Sequence, residues 1–237
     1  MHTTPALSTE GALWPALMHW IRLLTDHVAP GTLCLLVGIV KLQAAFGYWQ
    51  GQGIPAGLDS FSLSWLIAHK LVGGAFYLLV TLLFVLRAPR RGPRAGVFAI
   101  AVALGGVFVF SLHGLLPTVE PAVERMIPAV VIMVIASVVA IVSLLALGRY
   151  FGVFPEARGL AMHGPYAYIR HPLYLAEILM ALGLVLPILS IWTIALLLAF
   201  VGLQYWRALL EERALTATLP EYAEYAQRTW RIIPGLH

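Results

Sequence analysis

Cysteine is nearly missing from this sequence. Cys34 is the single one among 237 residues, and it lies inside an apolar run, which excludes a disulfide framework and any cysteine-based metal centre. Charge is scarce as well. Asp, Glu, Lys and Arg make up 11% of the chain, against about 25% in soluble domains. The slight basic excess, 15 Lys and Arg against 11 Asp and Glu, raises the question of a nucleic-acid partner, but the arginines follow membrane topology instead. Residues 1–10 hold no basic segment, so no cleavable leader is expected. What is abundant is apolar: 60% of residues are hydrophobic and the mean hydropathy is +0.87. These values predict an all-α, polytopic transmembrane helical bundle.

A bilayer-spanning helix needs about 20 apolar residues. Segments 31–49, 64–86, 95–116 and 126–147 fit that length. The apolar run 173–206 is too long for one span and too short for two ordinary ones. Pro187, followed by Ser190, lies near its middle, and proline breaks the helical hydrogen-bond ladder. A tight hairpin of two short or tilted helices, 173–186 and 190–206, is therefore predicted, for about six spans in all. Segment 14–28 has mixed periodicity and reads as an interfacial helix. No internal repeat or low-complexity tract appears. The chain is expected to form one membrane domain, 1–237, with an interfacial segment (1–30), a four-span part (31–147) and a C-terminal part (158–237).

Orientation comes from the arginines. Arg87, Arg90, Arg91 and Arg94 follow the second span, Arg149, Arg158 and Arg170 the fourth, and Arg207, Arg213, Arg228 and Arg231 the sixth, while the alternate loops hold only Arg125. The positive-inside rule then places both termini in the cytoplasm. Beyond the sixth span, the helix should run on until Pro220, where a second short helix begins. Its Tyr222 and Tyr225, with Trp230, are expected at headgroup depth.

Two polar constellations fall on that cytoplasmic side. The first is H-G-P-Y-A-Y-I-R-H-P-L-Y (163–174), at the entry to the fifth span. Tyr174 and Glu177 are three apart and share a helix face. Glu177 lies inside the apolar region, where a carboxylate faces protein or water and either binds a ligand or pairs with an arginine to fix helix packing. The second constellation is Arg207, Glu211 and Glu212, at the exit of the sixth span. In an antiparallel hairpin, Arg170, His171 and Tyr174 stand beside Arg207, Glu211 and Glu212. That makes a mixed-charge, aromatic-lined pocket suited to a zwitterionic or cationic small molecule.

The order G-P-Y-A-Y-I-R-H-P-L-Y (164–174), hairpin, Glu211-Glu212 and P-E-Y-A-E-Y (220–225) resembles the isoprenylcysteine carboxyl methyltransferase superfamily. These are integral-membrane enzymes that use S-adenosylmethionine, and they include related phospholipid methyltransferases. The resemblance covers 158–234. It implies a helical lid formed by the cytoplasmic tail over a cofactor pocket lined by Leu160, Tyr166, His171, Pro172 and Tyr174. Glu211 or Glu212 would hold the cofactor, and Arg170 and Glu177 complete the binding set. Arg207, Glu211 and His171 are the implied catalytic residues, with Arg207 at the junction with a lipophilic or lipid-modified substrate that enters from the membrane. Pro220 departs from the family, which often has glycine before the acidic–aromatic pair. The first four spans carry no such likeness.

The chemistry suits those residue types. Methyl transfer from a sulfonium to a carboxylate or thiolate depends mainly on alignment. The faces of Tyr166 and Tyr174 can sit against a cation, and a guanidinium orients an anionic acceptor. An amine or hydroxyl acceptor needs a base, for which His171 and Glu177 are candidates.

Two other classes stay open. A sterol-reductase-type enzyme would bind NADPH and usually carries more basic residues than this acidic pair allows. A small transporter would use mid-membrane Lys41 and Glu177, although transporters often show broken helices in both halves. Lys41, Gln43, His69, Lys70 and His113 outline a second polar region, read mainly as snorkelling or interhelical hydrogen bonding. The spacing of His69 and His113 fits no metal motif, so no metal is expected. Gly73-Gly74 and Gly105-Gly106 are expected at close helix contacts.

Overall fold

The computed structural model describes residues 28–54, 57, 59–109, 112, 115–117 and 119–235, with Leu17, Trp20 and Leu24 before them. The interfacial segment read at 14–28 therefore lies almost entirely outside the described residues, as does His113. Among the described residues the chain is all-helical: α1 (Ala29–Trp49), α2 (Ser60–Leu86), α3 (Val97–Phe108), α4 (Met126–Leu147), α5 (Pro172–Val185), α6 (Ile191–Thr218) and α7 (Tyr222–Arg228). One isolated bridge, Ile169 to Trp230, is the sole β-type pairing among them.

Four helical segments are long and apolar enough to cross a membrane: Ala29–Trp49, Ser60–Leu86, Val123–Tyr150 and Ile191–Thr218. The protein is a multi-pass membrane protein. Two further apolar helices, Val97–Val107 and Pro172–Ile188, are shorter. Helix α3 ends at Phe108, and residues 110, 111, 113 and 114 of the third span read at 95–116 lie outside the described residues. At 12 residues and 1.5 Å per residue, α3 is about 18 Å long, short of the ~30 Å hydrocarbon core.

The helices pack in the order α1–α2–α4–α5–α6, with α3 against α6. Small residues line the contacts: Ala45, Ala103, Ala129, Ala136, Ala140, Ala176 and Ala208 are buried, while Val40, Val85, Leu145 and Leu198 stay exposed on the outside. This is the pattern expected where lipid solvates large apolar side chains and small ones let backbones approach. At Gly74 an added Cβ would stand 2.6 Å from Leu42 Cδ2, so a larger residue there would have to displace the Leu42 side chain.

The hairpin forms as the proline implies. Helix α5 stops at Val185, a short 3-10 turn holds Leu186–Ile188, and α6 begins after Ser190. Ser190 and Thr193 close a reciprocal capping box, which satisfies two otherwise orphaned backbone donors. At the other end of the bundle the loops are tied together. Ala88 N–H donates to the Arg149 carbonyl at 2.6 Å, and Arg158 donates to the Ala88 carbonyl at 2.7 Å. Glu156 accepts from both Arg90 and Arg158.

The tail folds back onto the stretch that precedes α5. Arg170 N–H donates to the Trp230 carbonyl, His171 N–H to the Arg231 carbonyl, and Trp230 N–H to the Tyr168 carbonyl, at 2.7, 3.0 and 3.0 Å. Tyr222 and Tyr225 are buried against Ala157, Leu215 and Leu219. They are core residues of this lower layer, not headgroup anchors as the sequence suggested. The short helix starts at Tyr222, two residues beyond Pro220.

Candidate functional site

Antiparallel packing of α5 on α6 sets the site. Tyr174 and Glu177 project from the first two turns of α5, and Gln204, Arg207 and Glu211 from one stripe of α6. The Tyr174 hydroxyl donates to Glu211 Oε2 at 2.8 Å. One turn deeper, Arg207 Nη1 lies 3.2 Å from Glu177 Oε2 and 2.7 Å from Gln204 Oε1. Gln204 in turn donates to Glu177. Arg207 is 5% exposed, and a guanidinium that deep is stable only when paired.

Helix α3 closes this level from outside. A Cβ at Gly106 would stand 2.7 Å from Arg207 Cδ and 3.3 Å from Gln204 Oε1. Gly106 thus bears directly on the site, whereas Gly105 meets only Leu203.

At the mouth of the hairpin the second carboxylate, Glu212, meets three basic side chains: His171 and Arg231 hydrogen-bond to it, and Arg170 forms an ion pair without a hydrogen bond. His171 Nε2 is 3.2 Å from Oε1, Arg170 Nε is 3.2 Å from the same oxygen, and Arg231 reaches both oxygens at 3.1 Å. His171 Nδ1 is 3.8 Å from Glu211 Oε2, so this imidazole bridges the two carboxylates. Arg170 also donates to the Ala226 carbonyl at 2.8 Å. The pairing with Glu212 holds the Arg231 guanidinium above its usual range.

The Tyr174 ring already has two neighbours. It stacks on His171 with centroids 5.2 Å apart and planes 3° from parallel, and the Arg207 guanidinium lies 4.7 Å over it. A ligand cation would share that ring with Arg207. Tyr166 is buried, and its carbonyl accepts from the Tyr225 hydroxyl at 2.8 Å. Leu160 packs into the Ala157, Leu215, Tyr222 and Tyr225 cluster beneath, and Pro172 is fully buried at the start of α5.

Of the residues singled out in sequence, Arg170, His171, Tyr174, Glu177, Arg207, Glu211 and Glu212 therefore form one connected network. Leu160, Tyr166 and Pro172 lie in its walls. Sequence reasoning missed Gln204, hidden in an apolar run although a lone amide there is itself a signal, and Arg231 and Tyr222, which the tail brings in.

Three guanidinium groups face three carboxylates here, so the cluster is balanced in charge. It retains spare hydrogen-bonding capacity. Among the described residues, the buried Arg207 Nε and Tyr222 hydroxyl have no hydrogen-bond partner, and only Oε2 of Glu211 is engaged. Burial, then the negative charge of Glu212, pushes the Tyr222 phenol above its ordinary range, and burial pushes Tyr225 up to about 12. Both therefore stay neutral donors. A groove of about 390 Å³ lined by Leu209, Glu212, Arg213, Thr216 and Ala217 runs along the α6 flank beside the cluster. No group of three or more metal-ligating side chains occurs among the described residues.

Comparison with known proteins falls on this part of the chain. Residues 125–221, from the start of α4 to just beyond α6, match the family model described as phospholipid methyltransferase. Over 78 residues the chain is 40% identical to the cobalt-zinc-cadmium resistance protein CzcN of Cupriavidus metallidurans. That alignment covers 32% of this chain and 36% of the relative, so the chain spans about a third of the relative's length.

Proposed function

We propose that residues 125–221, which match the phospholipid methyltransferase family model, form a domain of that family, within the membrane methyltransferase superfamily that the motifs resemble. From that premise we propose that this multi-pass protein uses S-adenosylmethionine to methylate a lipidic or lipid-soluble acceptor at the cytoplasmic face. The observation that carries the reading is the Tyr174–Glu211 bond within a charge-balanced cluster that still offers the buried Arg207 Nε, the buried Tyr222 hydroxyl and a free Glu211 oxygen. Donors and acceptors of both kinds in one pocket fit a ligand carrying an ammonium, a carboxylate and ribose hydroxyls. They fit a polyphosphate less well, since that needs surplus positive charge.

S-adenosylmethionine, when bound, supplies a methyl group activated by its sulfonium. The residues of the chain supply position. The free oxygen of Glu211 accepts from an amino or hydroxyl group, and Tyr174 fixes the carboxylate that does so. Glu212, held by His171, Arg170 and Arg231, pins the tail against the pocket and limits access of water. Arg207, tied to Glu177 and Gln204, stands one turn deeper, where it orients an anionic acceptor such as a prenylcysteine-like carboxylate. For an acceptor that carries a proton, Glu177 or His171 is the base within reach. Alignment of this kind provides most of the acceleration in such a displacement.

Six crossings, with α3 and the α5 hairpin as short or tilted ones, and cytoplasmic termini complete the proposal. The arginines clustered at the α2–α3 and α4–α5 connections and in the tail support it. The decisive experiment titrates purified protein with S-adenosylmethionine and, in parallel, NADPH. Saturable binding of the first, weakened in folded Arg207→Ala, Glu211→Ala and His171→Ala variants, is expected. NADPH binding alone would replace this reading with a reductase, and unchanged affinity in all three variants would remove the residue assignment.

A further inference from the structure

From Pro172 to Arg207 the chain holds two charged side chains, Glu177 and Arg207, and the α5–α6 hairpin brings them into a pair. Gln204, fully buried between them, donates to the carboxylate and accepts from the guanidinium. Both hydrogen bonds to Glu177 fall on Oε2. Its Oε1 has no partner among the described residues, and the side chain is 31% exposed where that of Arg207 is 6% exposed. The carboxylate is therefore fixed by one oxygen and open at the other.

What can meet the open oxygen is limited by the pair. Glu177 lies five residues into α5, about 8 Å along the helix, and a partly open carboxylate inside an apolar helix marks a ligand path. Glu177 and Arg207 are already neutral as a unit. An ammonium on Oε1 would stand beside a guanidinium that stays charged. Arg207 alone would orient an anion, but a carboxylate brought to it here would stand beside Glu177. Either ligand adds a charge without compensation in poorly hydrated surroundings. A hydroxyl adds none, and it gives Oε1 the donor it lacks. His171 offers no such opening, since Nε2 faces Glu212 at 3.2 Å and Nδ1 faces Glu211 at 3.8 Å.

We propose that Glu177, held by Arg207 and Gln204, binds through Oε1 the hydroxyl of a neutral, lipid-soluble alcohol or phenol. Its role as the methyl acceptor rests on the methyl-transfer reading above, although the binding itself does not. In that role the hydroxyl passes its proton to Oε1 as its oxygen takes the methyl group, and the sulfonium donor leaves as a neutral thioether. The same contact places Glu177, not His171, as the base.

The test measures binding without S-adenosylmethionine, so its failure and the failure of methyl-donor binding are read separately. Purified full-length protein in phosphatidylcholine nanodiscs is titrated near neutral pH with para-dodecylphenol, its methyl ether and para-dodecylbenzoate, with empty nanodiscs as the blank. The phenol should bind saturably, about tenfold tighter than the ether, as one hydrogen bond to a charged acceptor implies, and tighter than the benzoate. Glu177→Gln keeps a carbonyl for Arg207 and Gln204 and removes the negative charge. It should weaken the phenol by about fivefold and tighten the benzoate, which then meets an unpaired guanidinium. Misfolding does not produce such a gain. Equal affinity for phenol and ether in the unaltered protein overturns the proposal without any variant. A preference of the unaltered protein for the benzoate does so too, as does a Glu177→Gln variant whose affinities match the unaltered protein's.

Discussion

Glu177 and Arg207 face each other across the α5–α6 hairpin, with Oε2 and Nη1 3.2 Å apart, and they bind the hairpin at the level of the site. Removing one partner of a buried pair costs more than the pair contributes, because the other charge is left without compensation. Glu177→Ala should lower unfolding stability in detergent by about 2 kcal/mol, below the ~3–5 kcal/mol of a fully buried pair because Glu177 is partly exposed and Gln204 still accepts from Arg207. Glu177→Gln should lose less. Thermal unfolding of both variants and of the Glu177→Ala/Arg207→Met double variant checks this. A double variant no more stable than Glu177→Ala contradicts it.

Gly106 should matter for activity and Gly105 should not. A Cβ at Gly106 meets Arg207 Cδ at 2.7 Å, whereas one at Gly105 meets Leu203 Cδ2 at an ordinary 3.4 Å. Gly106→Ala is therefore expected to displace Arg207 and lower kcat/KM by about tenfold, or ~1.4 kcal/mol. Gly105→Ala serves as the neutral control. Equal rates for the two variants would place Arg207 outside the reaction.

The tail is held by backbone bonds and by the Arg231–Glu212 pair, 21% and 12% exposed. Exposed pairs contribute little, but this one is two-thirds or more buried and is joined by a hydrogen bond from His171 and an ion pair with Arg170. Arg231→Gln should speed proteolysis between residues 219 and 230 and raise KM for the methyl donor several-fold, leaving the melting temperature of the helical bundle nearly unchanged. A cleavage pattern identical to the unaltered protein would show that the side-chain pair does not fasten the tail.

Orientation is open to direct chemistry, since Cys34 is the sole native thiol. In a Cys34→Ser background, Arg91→Cys should react with an impermeant maleimide only when the cytoplasmic side is exposed, and Glu120→Cys only from the other side. The reverse pattern would move the site to the opposite face.

Much of this architecture is legible in sequence where one physical signal stands alone. Pro187 in an overlong apolar run can only interrupt it, and that interruption forces Tyr174 beside Glu211 and Glu177 beside Arg207. Tyr222 and Tyr225 suggest headgroup depth from sequence because they are aromatic with polar tips. Which surface covers such residues is a tertiary matter, and here Leu215, Leu219 and Ala157 cover them. For the same reason Arg231 and Tyr222 could not be assigned to the site from their spacing, since only the parallel run of 229–231 beside 168–171 brings them there.

The most direct test is transfer of a labelled methyl group from S-adenosylmethionine into the lipid-extractable fraction by the purified protein in proteoliposomes. Tyr174→Phe keeps the ring over which Arg207 lies and removes only the hydroxyl that donates to Glu211. The unaltered protein should label the lipid fraction, and Tyr174→Phe should do so about tenfold more slowly, as expected for one hydrogen bond to a charged group. Absence of label with the unaltered protein, across lipid extracts that contain amine, carboxylate and hydroxyl acceptors, would contradict the proposed activity.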